Sequence, residues 1–324
     1  MDIRFYDFEF NLLYILPQYS GDIGYVSVNT EQNLNDCGMF DIVFSDDSLK
    51  KVIEDNRDNV IVSWNGFQGV LTSFKWDSKC RICGLHLNGL LKRAVIPGTE
   101  GEVTDDAETL ARSAVSENIP WLYLGEVKGL SEDVTYNTER YTAADAYIRE
   151  LLKLDNAGYK ITADFKNKKY IFEIIKPEQN PLMLSAANLN AHNMQLGYIN
   201  TEAAIGGWYL KEQAEDAQGN KPDPVWTYIT LDSTKQGIYK TDAVLSATTE
   251  SGALNELKEK KADFEVTAET KDIHHGTDYN IGDIIRVQCG GVTSRKLISG
   301  LSMWNENGYG EEPILTEWES EENG

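Results

Sequence analysis

The chain has 324 residues, enough for about two to four modules, and its 41% hydrophobic content is sufficient for ordered cores. Its 52 acidic and 30 basic residues give a formal net charge of −22, which argues against a surface that binds nucleic acid through clustered lysine and arginine. Four cysteines do not make a disulfide framework in a chain of this length, no apolar run approaches a membrane span, and the first residues show no secretory signal, so we expect reduced thiols and synthesis in the cytoplasm.

The first part of the chain, residues 3–95, is predicted to form short strands, with a short helix at residues 50–56. Asn65 and Gly66 lie between two apolar runs, which is a strong hairpin signal because both central residues of such a turn need a positive φ. A further strand at residues 80–87 completes a meander, which is typical of a barrel or a sandwich.

Beyond about residue 104 the hydrophobic period changes to that of helices. We predict one helix at residues 105–117 and a second that begins near Thr142. The apolar residues at helical spacing are Leu110, Ala111, Ala114 and Val115 in the first helix, and Ala144, Tyr147, Ile148, Leu151 and Leu152 in the second. Runs at residues 159–165 and 170–175 predict a hairpin, so this region indicates a small α+β module.

The next region is predicted to be more irregular. Pro177 and Pro181 bracket a stretch that resembles a linker, and residues 214–224 are polar and contain two prolines, which indicates an exposed loop. A short helix is predicted at residues 253–261, where lysines occupy the last turn. The acidic residues at 317–324 predict a frayed tail.

The stretch at residues 279–287 predicts a turn that feeds a strand. Tyr279, Asn280 and Gly282 provide the turn, and an apolar run follows. A Gly-Gly pair ends that strand, and residues 296–304 are predicted to return beside it. The stretch contains no obvious reactive constellation, and we predict no catalytic role for Asp283.

Cys80, Cys83 and His86 have a spacing that suggests part of a zinc site. Residues three apart on a strand point to opposite faces, and the chain has no second Cys-x-x-Cys pair to complete four ligands. We therefore interpret these residues as buried cysteine and a strand histidine, and we predict no metal site and no cofactor.

The remaining histidines and the carboxylate pairs are also interpreted as structural or solvated residues, because no motif brings them together with a reactive group. His274 and His275 are adjacent and diverge on an extended chain, so a solvated loop is the preferred interpretation. His192 and His86 have no nucleophile-bearing turn to serve, and no phosphate-binding glycine motif opens a helix. The carboxylate pairs are interpreted as solvated surface or a first helical turn, namely Asp46-Asp47, Asp105-Asp106 and Glu311-Glu312.

The order of these parts resembles a known family. Residues 85–97 read Leu-His-Leu-Asn-Gly-Leu-Leu-Lys-Arg-Ala-Val-Ile-Pro, and residues 279–287 read Tyr-x-x-Gly-Asp-Ile-x-x-Val. A meander that ends in the first motif, an α+β module, a second β region and the second motif together resemble the tail-associated, baseplate-hub-like proteins of siphophages and prophages of Gram-positive bacteria. The resemblance covers nearly the full length.

The resemblance implies a multidomain, β-rich fold with an α+β insert and two barrel-like domains. The implied domains are a first barrel-like hub domain at 1–97, an α+β domain at 98–176, a β-rich segment at 177–250, a second barrel-like domain at 251–320 and an acidic tail at 321–324. It implies a homotrimer at the virion tail tip that closes the tail tube and opens for DNA. Expected partners are the distal tail protein, the tape measure protein and tip or fibre proteins.

Relatives often carry a downstream peptidoglycan hydrolase or fibre domain, whereas this sequence ends shortly after Trp318, so we expect cell-wall cleavage to be supplied by other proteins. The leading hypothesis is a structural protein without enzymatic activity. Two alternatives stay open: a cell-wall glycosidase or peptidase that uses carboxylates, and a carbohydrate-binding module. The tryptophans available to stack on sugars are Trp64, Trp76, Trp208 and Trp304. The acidity itself predicts solubility or a channel wall that does not retain DNA.

Overall fold

The computed structural model describes residues 1–18, 24–77, 79–97, 103–130, 133–136, 141–153, 155–199, 204–211, 223–234, 241–260, 263–306 and 308–318. The chain divides into two compact units. Unit 1 comprises Met1–His192, Glu269–Val287 and Thr293–Gly324, and unit 2 comprises Asn193–Ala268 and Gln288–Val292. The boundaries predicted from sequence at residues 97, 176 and 250 stay predictions.

The described residues form a β-rich chain with few helices, as predicted. In chain order the strands are β1 Ile3–Tyr6, β2 Leu12–Leu16, β3 Tyr25–Asn33, β4 Met39–Phe44, β5 Ile61–Trp64, β6 Phe67–Trp76, β7 Cys80–His86, β8 Val95–Ile96, β9 Val103–Asp106, β10 Leu122–Leu124, β11 Asp133–Tyr136, β12 Thr142–Ala143, β13 Gly158–Asp164, β14 Lys169–Ile175, β15 Glu178–Ser185, β16 Ala191–Ile199, β17 Gly206–Lys211, β18 Val225–Thr230, β19 Asp242–Val244, β20 Asp263–Thr270, β21 Asp283–Cys289, β22 Val292–Asn305 and β23 Tyr309–Glu317. The helices are α1 Asp47–Asn56, α2 Ala107–Asn118, α3 Ala144–Lys153 and α4 Glu250–Glu259, with a 3₁₀ helix at Leu87–Arg93.

One eleven-stranded sheet in unit 1 joins the two ends of the chain. Its order is β15-β21-β22-β3-β4-β7-β6-β5-β1-β2, and β23 also pairs with β22. β22 pairs antiparallel with β3, with Gly300 opposite Asn33 and Asn305 opposite Val28. Strands from both predicted barrel-like regions therefore belong to the same sheet.

The sheet does not close into a barrel within the described residues. β2 and β3 are not paired with each other in the described part of the sheet. Just after β2, Gln18 forms an isolated parallel bridge with Tyr25, whose amide donates to the Pro17 carbonyl at 3.2 Å. The N-terminal ammonium of Met1 donates to the Gln18 side chain at 2.7 Å, and the Tyr25 hydroxyl donates to the Met1 carbonyl at 2.9 Å. These contacts hold one end of the gap together, whereas the predicted barrel-like shape is not confirmed.

The predicted Asn-Gly hairpin is confirmed. Asn65 and Gly66 have φ values of +46° and +84°, and the pair Trp64–Phe67 closes the turn between β5 and β6. Both central residues thus adopt the left-handed conformation that a tight hairpin turn needs, because its twist then matches that of the strands.

The linker predicted around Pro177 and Pro181 is wrong. Pro181 lies inside β15, which is an end strand of the large sheet and, within the described ranges, pairs with β21 alone. Proline has no amide hydrogen to donate, and an end strand tolerates this because one of its edges has no partner strand.

The predicted α+β elements are confirmed in unit 1. β10, β14 and β13 form a mixed three-stranded sheet, in which β13 and β14 are the predicted hairpin and β10 runs parallel to β14. α2 and α3 bury the apolar stripes that the sequence indicates, and Leu151, Leu152 and Phe172 are fully buried in their shared core. Burial of this stripe, at about 25 cal/mol per Å² of apolar surface, is what stabilises helices of this length.

The outer edge of β13 is covered by side-chain amides instead of a fourth strand. Asn88 accepts from the Ile161 amide at 2.8 Å and donates to the Tyr159 carbonyl at 3.1 Å. Gln68 accepts from the Ala163 amide at 2.6 Å and donates to the Ala163 carbonyl at 3.0 Å. The two amides satisfy the edge as a strand would, which fastens the α+β elements to the meander.

Unit 2 contains a three-stranded sheet in the order β18-β17-β19, covered on one face by α4. The core between them consists of Ala204, Tyr209, Leu245, Ala253 and Leu257. The helix predicted at 253–261 is confirmed with an earlier start. The loop predicted at 214–224 lies almost wholly outside the described residues, as does the tail at 321–324. Every helix within the described ranges is too short or too polar to span a lipid bilayer.

Candidate interaction surfaces

Residues 279–287 form the first part of strand β21 and, before it, a turn that is held by side-chain hydrogen bonds. The Asp283 carboxylate accepts from the Asn280 amide at 2.8 Å and from the Asn180 side chain at 2.6 Å, and Asn180 also donates to the Asp278 carbonyl at 3.1 Å. These bonds use Asp283 to close the turn and attach it to β15. The Asp283 carboxylate therefore stabilises the backbone conformation of this turn.

This turn borders an open cleft of about 340 Å³ in unit 1. The charged lining groups are Lys128, Lys160, Lys176, Glu173, Glu178, Asp283 and, when protonated, His275. Lys176 donates to the Gly129 carbonyl at 2.8 Å. The described residues that line the cleft include no serine, threonine or cysteine to act as a hydroxyl or thiol nucleophile beside the histidine.

His274 and His275 lie on an exposed loop and are fastened by Glu311. The Glu311 carboxylate lies 3.0 Å from Nδ1 of His274 and accepts from the His275 amide at 3.1 Å. The Tyr309 hydroxyl donates to the same carboxylate and accepts from the Asn65 side chain at 2.9 Å. The group links the loop to β23 and to the β5–β6 turn, and Glu311 is occupied by these bonds.

Cys80, Cys83 and His86 do not come together. Burial alternates along β7, so Cys80 and His86 point inward at opposite ends of the strand and Cys83 points to the other face. His86 packs edge-on against Phe67 and its Nδ1 accepts from the Asn88 amide at 3.3 Å, while burial lowers its pKa to about 3. The described residues contain no cluster of three or more potential metal ligands.

His192 lies apart from these groups, with Nε2 3.0 Å from the Glu269 carboxylate.

The carboxylate pairs contain members that cap helices. Asp46 accepts from the Ser48 amide at 2.9 Å and begins α1, and Asp106 accepts from the Thr109 amide at 2.8 Å and begins α2. Partial burial opposes ionisation of Asp106, but the hydrogen bonds that it accepts from the side chain and the amide of Thr109 lower its pKa overall.

The four tryptophans considered for sugar stacking have different environments. Trp64 is fully buried, and Trp76 stacks on Phe74 with its Nε1 donating to Glu54 at 2.7 Å. Trp304 and Trp208 are both partly exposed. Sequence reasoning overlooked Trp226, whose side chain is 54% exposed on β18. The alternation Val-Trp-Thr-Tyr in that strand was the available signal.

Trp208 and Trp226 lie on one apolar sheet face of unit 2. The register pairs Trp208 with Tyr228 and with Val244, and Leu210 with Trp226. Tyr209 points to α4, so these five residues point away from the helix. We call Trp208, Leu210, Trp226, Tyr228 and Val244 the aromatic face of unit 2.

The aromatic face is exposed and nearly uncharged. Val244 is 74% exposed, Trp208 44% and Leu210 37%. The rings of Trp208 and Tyr228 are 5.1 Å apart and inclined at 55°, and the Tyr228 hydroxyl donates to Asp242 at 2.9 Å. Large apolar side chains that share an exposed face mark an interaction surface on a soluble protein.

No protein-family model and no curated protein sequence matches the chain. Solved structures of similar fold exist. A tail protein from Neisseria meningitidis MC58 is 12% identical with a TM-score of 0.60, over 98% of this chain and 96% of that one. The prophage tail protein gp18 from Listeria monocytogenes EGD-e is 15% identical with a TM-score of 0.57, over 99% and 96%.

A prophage MuSo2 tail protein of 43 kDa from Shewanella oneidensis is 12% identical with a TM-score of 0.57, over 98% of both chains. Each match extends over nearly the whole of both proteins. The chain therefore has a fold similar to that of these three tail proteins.

Proposed function

We propose that this chain is a structural component of a phage or prophage tail tip. In this proposal it forms a homotrimeric hub that closes the tail tube, links it to tip proteins and lets DNA pass on infection. The observation that carries the proposal is the fold shared with three tail proteins over 96–98% of their length. The Gram-positive host stays a prediction, because the similar folds come from Neisseria, Shewanella and Listeria.

The proposed role requires contacts with neighbours and no reaction. The distal tail protein, the tape measure protein and the tip or fibre proteins are the proposed partners. The candidate groups support this role, since Asp283, Glu311, Asp46 and Asp106 serve the backbone of turns, loops and helices. We propose on this basis that the chain has no enzymatic activity of its own.

Two measurements test the proposal. Light scattering of the purified chain is expected to give three times the 36.4 kDa of one chain. Antibody against the chain is expected to label the tip of intact tails in electron micrographs. Label along the tube, or none on tails, would contradict the tail-tip role.

A second candidate function is carbohydrate binding, which the exposed Trp208 and Trp226 favour. Binding of soluble cell-wall glycans by the purified chain would support this function. Hydrolysis of peptidoglycan that is lost on replacing one carboxylate would instead establish the enzymatic alternative. We expect neither result.

A further inference from the structure

The aromatic face of unit 2 is large enough to be the centre of a protein contact. Two tryptophans that are about half exposed, a partly buried tyrosine, a leucine and a valine leave roughly 400 Å² of side-chain surface in contact with water. A stable interface buries about 800 Å² on each partner, with an apolar centre and a polar rim. The face supplies about half of that area, which corresponds to the centre.

The charge of the face limits what covers it. The chain carries a net charge of −22, so two copies repel each other wherever acidic surfaces meet. In the three strands that form the face, only Lys211 and Asp242 are charged. A neighbouring copy can therefore cover this face without meeting many carboxylates on it, whereas a basic partner would gain nothing from this face.

The same face is poorly suited to a sugar. A sugar stacks one face of its C–H groups on an aromatic platform and needs polar groups at the edge for its hydroxyls. The Trp208 and Tyr228 rings do not form a common platform, because they are inclined at 55°. Leu210 and Val244 occupy the adjoining positions, and one Asp242 oxygen already accepts from Tyr228. Aliphatic residues around tryptophans are typical of the centre of a protein interface.

We infer that a second copy of this chain covers the aromatic face of unit 2. The inference rests on the proposed homotrimer and assigns one of its contacts. In a closed ring of three, each copy gives this face to a neighbour, and the contact repeats around the axis. Trp208 lies on the central strand β17, and Val244 lies directly beside it on β19. A charge placed at Val244 is therefore buried without a partner when the ring forms.

The test compares two valine variants of the full chain by sedimentation equilibrium. Val244→Glu places a carboxylate on the aromatic face, and Val127→Glu places one at a similarly exposed valine of unit 1, where the exposures are 74% and 68%. We expect Val244→Glu to raise the concentration at which half the protein is trimeric by about tenfold or more, and Val127→Glu to change it less than threefold. The far-ultraviolet circular dichroism spectra of both variants are expected to match that of the natural chain, which shows that both variants are folded.

The outcomes separate the inference from the proposed function. A natural chain that is trimeric, with Val244→Glu and Trp226→Gln equally trimeric, would overturn the inference and leave the homotrimer intact. A natural chain that stays at 36.4 kDa at its highest soluble concentration would overturn the homotrimer and the inference together. If the natural chain is a monomer that binds soluble peptidoglycan fragments, and Trp226→Gln abolishes this binding, the face is a carbohydrate-binding surface and the inference is wrong. If Val244→Glu unfolds, Trp226→Gln decides the comparison.

Discussion

Gly282 shows at the scale of one residue why the turn before β21 needs glycine. Its φ is +97°, and a Cβ there would lie 2.6 Å from Cγ2 of Ile175, whereas Gly276 has a φ of +79° with no heavy atom within 4 Å of a Cβ. We expect Gly276→Ala to lower the free energy of unfolding by about 1–2 kcal/mol through backbone strain alone. Gly282→Ala is expected to cost about 1–3 kcal/mol more through the contact with Ile175. If urea unfolding showed that both variants lose the same free energy of unfolding, the contact with Ile175 would have no effect and this account would be wrong.

His86 makes stability depend on pH. Its folded pKa of about 3 lies below the ordinary 6.5 because the ring is fully buried. The unfolded chain therefore binds more protons between these values, and stability is lost as the pH falls below 6.5. We expect a loss of about 2 kcal/mol between neutral pH and about pH 5 from this residue.

The control for His86 is the variant His86→Gln, which retains an acceptor for the Asn88 amide and does not titrate. Urea unfolding of both proteins at neutral and acidic pH isolates the histidine, because His192, His274 and His275 are common to both. The difference in free energy of unfolding between the two proteins is expected to shrink as the pH falls, because only the protein with His86 loses stability from this group. A constant difference would show that His86 does not control this pH dependence.

At the scale of the element, the edge of β13 depends on the amide of Asn88. Asn88→Asp keeps the shape of the side chain but loses the donor to the Tyr159 carbonyl and puts a charge in a fully buried position. We expect the free energy of unfolding to fall by about 3 kcal/mol or more. The measurement is urea unfolding followed by far-ultraviolet circular dichroism.

Gln68→Glu is the matched change on the same edge. Gln68 is partly exposed, so water replaces the lost donor to Ala163 and the expected loss is about 1 kcal/mol. The order of the two losses is the prediction. If Gln68→Glu lowered the free energy of unfolding more than Asn88→Asp, the contact at Ala163 would contribute more to the stability of β13 than the contacts at Tyr159 and Ile161.

At the scale of the whole molecule, the net charge of −22 is expected to oppose assembly. Salt screens repulsion between exposed carboxylates over about 10 Å at 0.1 M, so we expect the proposed trimer to become more stable as salt is added. Sedimentation equilibrium across a salt series measures this. Dissociation of the trimer by added salt would instead indicate contacts between opposite charges.

The same charge predicts that duplex DNA is not retained. A protein gains affinity for DNA by neutralising phosphates and releasing their counterions, and a chain with 52 acidic and 30 basic residues has little to offer them. We expect no shift of a labelled duplex by the purified protein even at low salt. Binding that weakens as salt rises would reveal a basic surface and contradict a channel that DNA passes freely.

Local structure was largely determined by the sequence. The Asn65-Gly66 turn, the apolar stripes of α2 and α3 and the hairpin β13–β14 follow from the conformations and periods of neighbouring residues. Pro181 was misinterpreted, because whether a strand tolerates proline depends on its being at the end of a sheet.

The tertiary structure alone decided which distant elements meet. β3 and β22 pair although Val28 and Asn305 are 277 positions apart, and strand pairing over such a distance leaves no local signal in the sequence. The same holds for the amides that cover β13 and for Trp226, whose exposure depends on which face α4 covers. The sequence by itself determined the elements, the acidity and the order of parts, whereas packing determined the surfaces through which we propose that the protein acts.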